Sequence, residues 1–183
     1  MKAFKTIRVV RHTAILASMG LIAAAAAAGA ESQNMLGGTA KMADADGNSV
    51  GVVTFNEPID GQGVIVEANL VNLPAGTHAI HVHETGTCDA PDFKSAGGHF
   101  NPDDKKHGIM NPDGMHAGDL PNLFVPESGE IHQEMFATNL TLDDALFDDD
   151  GAAVVIHAGA DDYKTDPAGD AGGRIACGVI EKN

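Results

Sequence analysis

Basic residues are scarce in this chain of 183 residues: 11 Lys and Arg stand against 26 Asp and Glu, a formal net charge of −15. Four of the 11, Lys2, Lys5, Arg8 and Arg11, fall in the first 30 residues, which hold no acid. The remainder therefore carries seven basic residues against 26 acidic ones, or −19. Such a surface argues against nucleic acid or an anionic membrane as partner. Long apolar runs are also missing: the stretch from Thr13 to Ala28 is alanine-heavy and short of the ~20 residues that span a bilayer. A basic front, this hydrophobic middle and the small-x-small end Ala28-Gly29-Ala30 make an export signal. Residues 1–30 are accordingly read as a signal peptide and residues 31–183 as a single domain. Cysteine is limited to Cys88 and Cys177. In an exported protein such an even pair reads as one disulfide, worth up to about 4–5 kcal/mol for so long a loop. No long amphipathic helix and no internal repeat are present.

Short strands fill most of what remains. After a loose leader at 31–36, strand texture begins at Gly38, and TAKMADADGNSVGVVTFNEP reads as two strands around the turn Asp46-Gly47-Asn48. Val64, Val66, Ala68 and Leu70 alternate with Ile65, Glu67 and Asn69 as a half-buried strand does. Further strands are expected at Thr77–Glu84, Leu120–Pro126, Ile131–Asn139, AAVVIHAG and RIACGVIE, and one helical turn at TLDDALFDDDG with Thr141 as its cap. About eight strands with regular turns predict an all-β, antiparallel sandwich or barrel. Two stretches lack regular patterning, Thr85–Asp119 and Ala160–Gly173. Loops of that length in a small domain are functional or are held by something other than a core.

The first of these loops and the strand before it contain six of the nine histidines: His78, His81, His83, His99, His107 and His116, with Asp119 three residues further on. Imidazole is the commonest transition-metal ligand, and this density points to a two-metal site. His81 and His83, two apart on a strand, project to one face and can grip a single ion. His157, at the end of another strand, offers a third nitrogen. His107, His116 and Asp119 supply nitrogens with a hard oxygen, a set that suits zinc, whereas an all-imidazole site with open access suits copper. His99 lies between the two sets. His78 points away from His81 by strand parity and reads as a structural histidine, and His132 as a surface one.

Taken together and in order, THAIHVHE, SAGGHFNP, KHG, HAGDLPNL, VVIHAGADD and GGRIACGVI resemble the copper/zinc superoxide dismutase family over nearly the whole segment beyond residue 30. The resemblance implies an eight-stranded antiparallel Greek-key β-barrel with two long functional loops. It implies copper on His81, His83, His99 and His157, and zinc on His99, His107, His116 and Asp119, with His99 as the bridge. It implies Asp161 as the carboxylate tying His81 to His107, Arg174 as the anion-holding group beside copper, and a Cys88–Cys177 disulfide. The substrate implied is the superoxide anion, the catalytic residues Arg174 and His99, and the assembly a homodimer, although some bacterial members are monomers.

Departures from the family pattern are informative. Cys88 follows the HxH strand sooner than in eukaryotic members, and DAPDFK intervenes before SAGGHFNP. With the export signal, this resembles a bacterial, periplasmic form. Gly159 and Pro167 stand where the family places lysines, so a substrate funnel with fewer lysines is expected, with Lys94 and Lys164 in the neighbouring loops. Two other functions compete: a copper carrier on the same barrel, and a structural or hydrolytic zinc protein. A carrier would lose the arginine or the bridge, both of which match here. Hydrolysis needs an open zinc beside a free carboxylate, whereas three histidines and Asp119 would close this one.

Overall fold

Val64, Val66, Ala68 and Leu70 are buried along one face of their strand, as the alternation predicts. The computed structural model describes residues 35–58 and 63–183, so the expected export signal lies outside the described residues. Among these residues nine strand segments form: β1 (Met35–Asp44), β2 (Ser49–Pro58), β3 (Val64–Leu70), β4 (Gly76–His78), β5 (Ile80–His83), β6 (Leu123–Val125), β7 (Ile131–Ala137), β8 (Ala153–His157) and β9 (Arg174–Lys182). Seven pair as an antiparallel sheet in the order β5-β8-β9-β1-β2-β3-β7, and β4 pairs with β6. The sheet curls as a half-barrel, the all-β Greek-key architecture expected.

Three expectations need correction. The single strand expected over Thr77–Glu84 is broken at Ala79, because β4 pairs with β6 while β5 pairs with β8. Counting β4 and β5 as one restores eight. Strand structure starts at Met35 rather than Gly38, because residues 35–38 find partners in β2 and Gly38 pairs with Lys182 at the end of β9. At 141–150 one turn forms, closed by Phe147 N to Asp143 O at 3.2 Å, but its cap is not the one expected. Asp143 rather than Thr141 organises that segment, its Oδ1 accepting the N–H of Ala145 at 3.0 Å. Leu140, Leu142 and Leu146 are buried in the main core, so packing, not helical propensity, shapes the loop.

One contiguous core lies inside the curled sheet and includes Val53, Phe55, Val66, Leu70, Ile80, Val82, Val154 and Ile156. A smaller cluster on the other face holds Ala153, Val155, Phe93, Ala96 and Cys177, with Cys88 packed against it. This explains why AAVVIHAG is apolar without alternation: β8 is covered on both sides, by the core and by the disulfide-bonded loop. Cys88 and Cys177 are joined. The covering loop is nearly irregular, with one 3-10 turn at Lys94–Ala96.

Candidate metal centre

The strand β5 reads Ile80-His81-Val82-His83, and all four residues are buried. Parity sends Ile80 and Val82 into the main core and the two imidazoles to the opposite face. That face is roofed by loop backbone. Phe100 N donates to Val82 O at 2.9 Å, Val82 N to Gly118 O at 2.9 Å and Glu84 N to Gly98 O at 3.0 Å. These bonds bring His99 opposite His83 and Asp119 opposite His81 as isolated bridges. His157 arrives from β8, where a register shift between Ile156 and His157 sets it opposite Arg174; such shifts re-aim side chains.

Each of these rings is fixed by one nitrogen. His81 Nε2 donates to Asp161 Oδ2 at 2.8 Å, His83 Nδ1 to Gly97 O at 3.1 Å, and His157 Nδ1 to Gly172 O at 3.3 Å. His99 Nδ1 donates to Asp119 Oδ1 at 2.9 Å. The acceptors have no hydrogen to give, so the tautomers are set and a lone pair remains on each opposite nitrogen. Those four atoms, His81 Nδ1, His83 Nε2, His99 Nε2 and His157 Nε2, are buried and have no partner. The ligand atoms of these residues all lie within 4.8 Å of one another. Four buried lone pairs aimed at one point repel each other, and each unmade bond costs about 1–3 kcal/mol. A cation at their centre removes both penalties, and the all-imidazole set suits copper.

Burial first, with neighbouring His99 and His157, holds the His81 ring down to about 3 despite its bond to Asp161. Burial lowers His83 to about 2 and His157 to about 4. In the metal-free protein these rings are therefore neutral and ready to ligate at neutral pH.

A second cluster forms around one oxygen. Asp119 Oδ1 lies 2.9 Å from His99 Nδ1, 3.0 Å from His107 Nδ1 and 3.2 Å from His116 Nδ1. His116 Nδ1 and His99 Nδ1 are 3.3 Å apart. Two donors at ~2.0–2.1 Å from one zinc ion at tetrahedral angles are about 3.3–3.4 Å apart, close to these separations. Proximity alone also groups His81 with His99, His107 and Asp119. His81, however, commits Nε2 to Asp161 and turns its bare Nδ1 to the first cluster, so His116 is the better fourth member. Burial opposes ionisation of Asp119, but the bonds from His107, His116 and His99 outweigh it and hold the carboxyl far below its usual range. Burial likewise opposes charge on His107, yet its bonds to Asp119 and Asp161 raise it to about 9.

Asp161 joins the clusters: Oδ2 accepts from His81 Nε2 at 2.8 Å and Oδ1 from His107 Nε2 at 2.9 Å. Arg174 is held by the disulfide loop, donating from its two terminal nitrogens to Phe93 O and Gly97 O at 2.6 Å each. It lines a cavity of about 410 Å³ with His83, His99 and His157, and Glu84 and Asp104 line the same opening. The seven expected ligands and Asp161 thus lie together, Arg174 lies beside His83 and His157, and Lys94 and Lys164 do not line that cavity.

Comparison with known proteins agrees with this geometry. The family model described as copper/zinc superoxide dismutase (SODC) matches residues 49–180. The chain belongs to the copper/zinc superoxide dismutase family. A relative from Aquifex aeolicus, Cu-Zn superoxide dismutase 1, is 51% identical over 124 residues, covering 65% of this chain and 73% of the relative. The Cu-Zn superoxide dismutase of Caulobacter vibrioides is 43% identical over 149 residues, covering 78% and 84%. Among solved structures, a SOD-like protein from Bacillus subtilis superposes with TM-score 0.73 at 40% identity, over 77% of this chain and 96% of that one. The Cu/Zn superoxide dismutase of Brucella abortus gives TM-score 0.66 at 32% identity, over 79% and 99%.

Sequence reasoning passed over several residues that shape the site. His78 is structural, as expected, with ring nitrogens 2.9 Å from Pro74 O and from His157 O, and through the latter it also steadies a site histidine. Glu84 accepts the Gly98 N–H at 2.8 Å beside the loop that presents His99. Asn122, Tyr163 and Gly169 surround Asp161. Their only sequence signal was a place inside or beside the matched motifs.

Proposed function

We propose that this chain dismutates superoxide to dioxygen and hydrogen peroxide with copper held by His81, His83, His99 and His157 and zinc held by His99, His107, His116 and Asp119. The observation that carries this reading is the convergence of four unpartnered, buried ring nitrogens on one point. When bound, copper supplies one-electron cycling between two oxidation states, which zinc cannot, so the redox role falls to copper and the structural role to zinc.

The residues do the rest. His99 presents Nε2 to the first cluster and Nδ1 to the second, so one ring serves both. With copper bound, its Nε2 would be the atom able to hold one proton and pass it to the reduced oxygen, the second proton of hydrogen peroxide coming from solvent. Its Nδ1 faces Asp119 and His116, which would hold zinc together with His107, and zinc bound there would keep the ring in place. Arg174 carries a permanent charge in a planar fork, and in the cavity beside His83 and His157 it holds a small anion against the reacting position. The arginine and the shared histidine are what a mere copper carrier would not need.

The test is metal content with superoxide-scavenging activity on the parent and on His81→Ala. The variant should lose copper and nearly all activity; unchanged activity would overturn the copper assignment.

We further propose export to the periplasm, with residues 1–30 removed, and assembly of the folded 31–183 domain as a homodimer. The basic and apolar composition of the first 30 residues and the Cys88–Cys177 disulfide support export. The dimer rests on the family resemblance alone. Intact mass of protein from a periplasmic fraction tests the first, and light scattering after size exclusion the second.

A further inference from the structure

Asp161 joins His81 of the first cluster to His107 of the second, so whatever holds Asp161 sets how the two halves fit. Its surroundings are unusually well determined. The buried Asn122 side chain brackets its backbone in both directions: Asn122 Oδ1 accepts the Asp161 N–H at 2.8 Å, and Asn122 Nδ2 donates to Asp161 O at 2.9 Å. Asn122 is fixed in turn, its N–H donating to Tyr163 Oη at 2.8 Å and its carbonyl accepting from Gln133 Nε2 at 2.9 Å. Tyr163 closes the circuit by donating its own N–H to Asp161 Oδ1 at 2.6 Å. Its carbonyl accepts the N–H of Met110 at 2.9 Å, which ties the same clasp to the loop that carries His107. The wall behind the carboxylate is Gly169, at φ 63, where a Cβ would overlap Asp161 Oδ1 and crowd His107 Nε2.

We propose that Asn122, Tyr163 and Gly169 are positioning residues: they clasp Asp161 against His81 and His107, and their main effect is on retention of zinc. The inference rests on the ligand reading above. The asymmetry follows from the supports of the two rings. His81 lies on β5, paired to β8, and keeps its place when Asp161 shifts. His107 lies in a loop outside the strands, where Asp119 and Asp161 are the two groups that orient its ring. Loss of an outer hydrogen-bond partner weakens metal binding about 10–100-fold, and here that loss falls on the loop ligand.

The experiment is zinc and copper retention by the holoenzyme against a graded chelator, with activity read in parallel. Asn122→Ala and Gly169→Ala should release zinc about tenfold more readily or more. Tyr163→Phe, which keeps the ring and removes only Oη, should do so by about two- to threefold. Copper should stay within about threefold of the parent in all three. Leu140→Ala, a core truncation away from both clusters, controls for lost stability and should keep zinc. Zinc held by Asn122→Ala and Gly169→Ala as tightly as by Leu140→Ala overturns the inference, as does equal loss of both metals. Asp119→Ala separates the two levels. If it too retains zinc, the ligand reading itself fails; if it loses zinc while the clasp variants keep theirs, only this inference fails.

Discussion

The two halves of the metal centre are built on different principles. On the copper side, His81, His83 and His157 sit on paired strands, and each ring is fixed by a single bond to an acceptor outside the cluster. Their metal-facing nitrogens have no hydrogen-bond partner. On the zinc side, His107, His116 and Asp119 sit on loop backbone, and their metal-facing atoms already contact one another through one carboxylate oxygen. The strand half is shaped by the sheet and waits for a cation. The loop half is shaped by its own charges, with His107 held protonated between Asp119 and Asp161 in the metal-free protein. Redox chemistry wants ligands that stay put, which strands provide. A structural ion can instead be the element that orders its own loop.

Removing Asp119 should break the contrast most severely. Asp119→Ala deletes the acceptor of three imidazoles and of the Gly108 and His116 N–H groups, at 2.9 and 3.0 Å. Zinc retention should fall more than about a hundredfold, beyond the range for outer partners, and stability by about 3–5 kcal/mol. Copper should be retained far better; chelator competition and urea unfolding read both. Equal loss of the two metals would erase the distinction.

Opening the disulfide attacks the roof over the strand half. Cys88→Ser should cost about 2–4 kcal/mol in denaturant unfolding. Because Phe93 O and Gly97 O, the anchors of Arg174, lie in the loop it clamps, activity should fall further than copper content. A variant that loses both in proportion would place Arg174 outside that coupling.

Acid should separate the halves in the metal-free protein. His81, His83 and His157 have ring pKa values depressed from 6.5 to about 3, 2 and 4. The unfolded chain then binds protons that the folded one refuses, so their contribution is full above about 6.5 and is lost as pH falls towards those values. His107, raised to about 9, does the opposite: its contribution is full below 6.5 and is lost as pH rises through about 9. Stability of the metal-free protein should thus decline on both sides, with proton uptake on unfolding in the acid arm, to which His99 and the lowered carboxyls of Asp119 and Asp161 add. Titration of unfolding free energy against pH checks this, and a flat acid arm would contradict the neutral copper-side rings.

The smallest effect expected is on substrate entry. Arg174 shares its cavity with Glu84 and Asp104, and no lysine lines it among the described residues. Local attraction of superoxide should therefore be weak, and raising ionic strength to physiological levels should slow the reaction by less than about twofold. Stopped-flow rates against salt decide it; no fall at all would leave local steering by Arg174 without support.

How much of this was readable beforehand depended on how local each determinant is. The HxH pair followed from strand parity alone, and the β3 core from period-two alternation. Strand ends followed less well, because Met35 and Leu36 are extended only through pairing with Pro58 and Glu57. Thr141 and Asp143 are both good caps, and the choice between them was made by the burial of Leu140, Leu142 and Leu146 around them. Asp161 and Arg174 look like surface residues until a family pattern singles them out. Asn122, Tyr163 and Gly169 carry no chemistry of their own and matter only through what they touch.

The chain alone determined which side chains were on offer: imidazoles at strand spacing, one carboxylate after HAG, two cysteines and a lone arginine near the end. Those are properties of residue type and of periodicity, both of which act over a few positions. Tertiary structure alone decided which nitrogen of each ring is bare, because that depends on acceptors such as Gly97 O, Gly172 O and Asp161 Oδ2 brought from 14 to 80 residues away. A lone pair becomes a ligand only when the ring's other nitrogen is committed elsewhere, and that commitment is made by the fold.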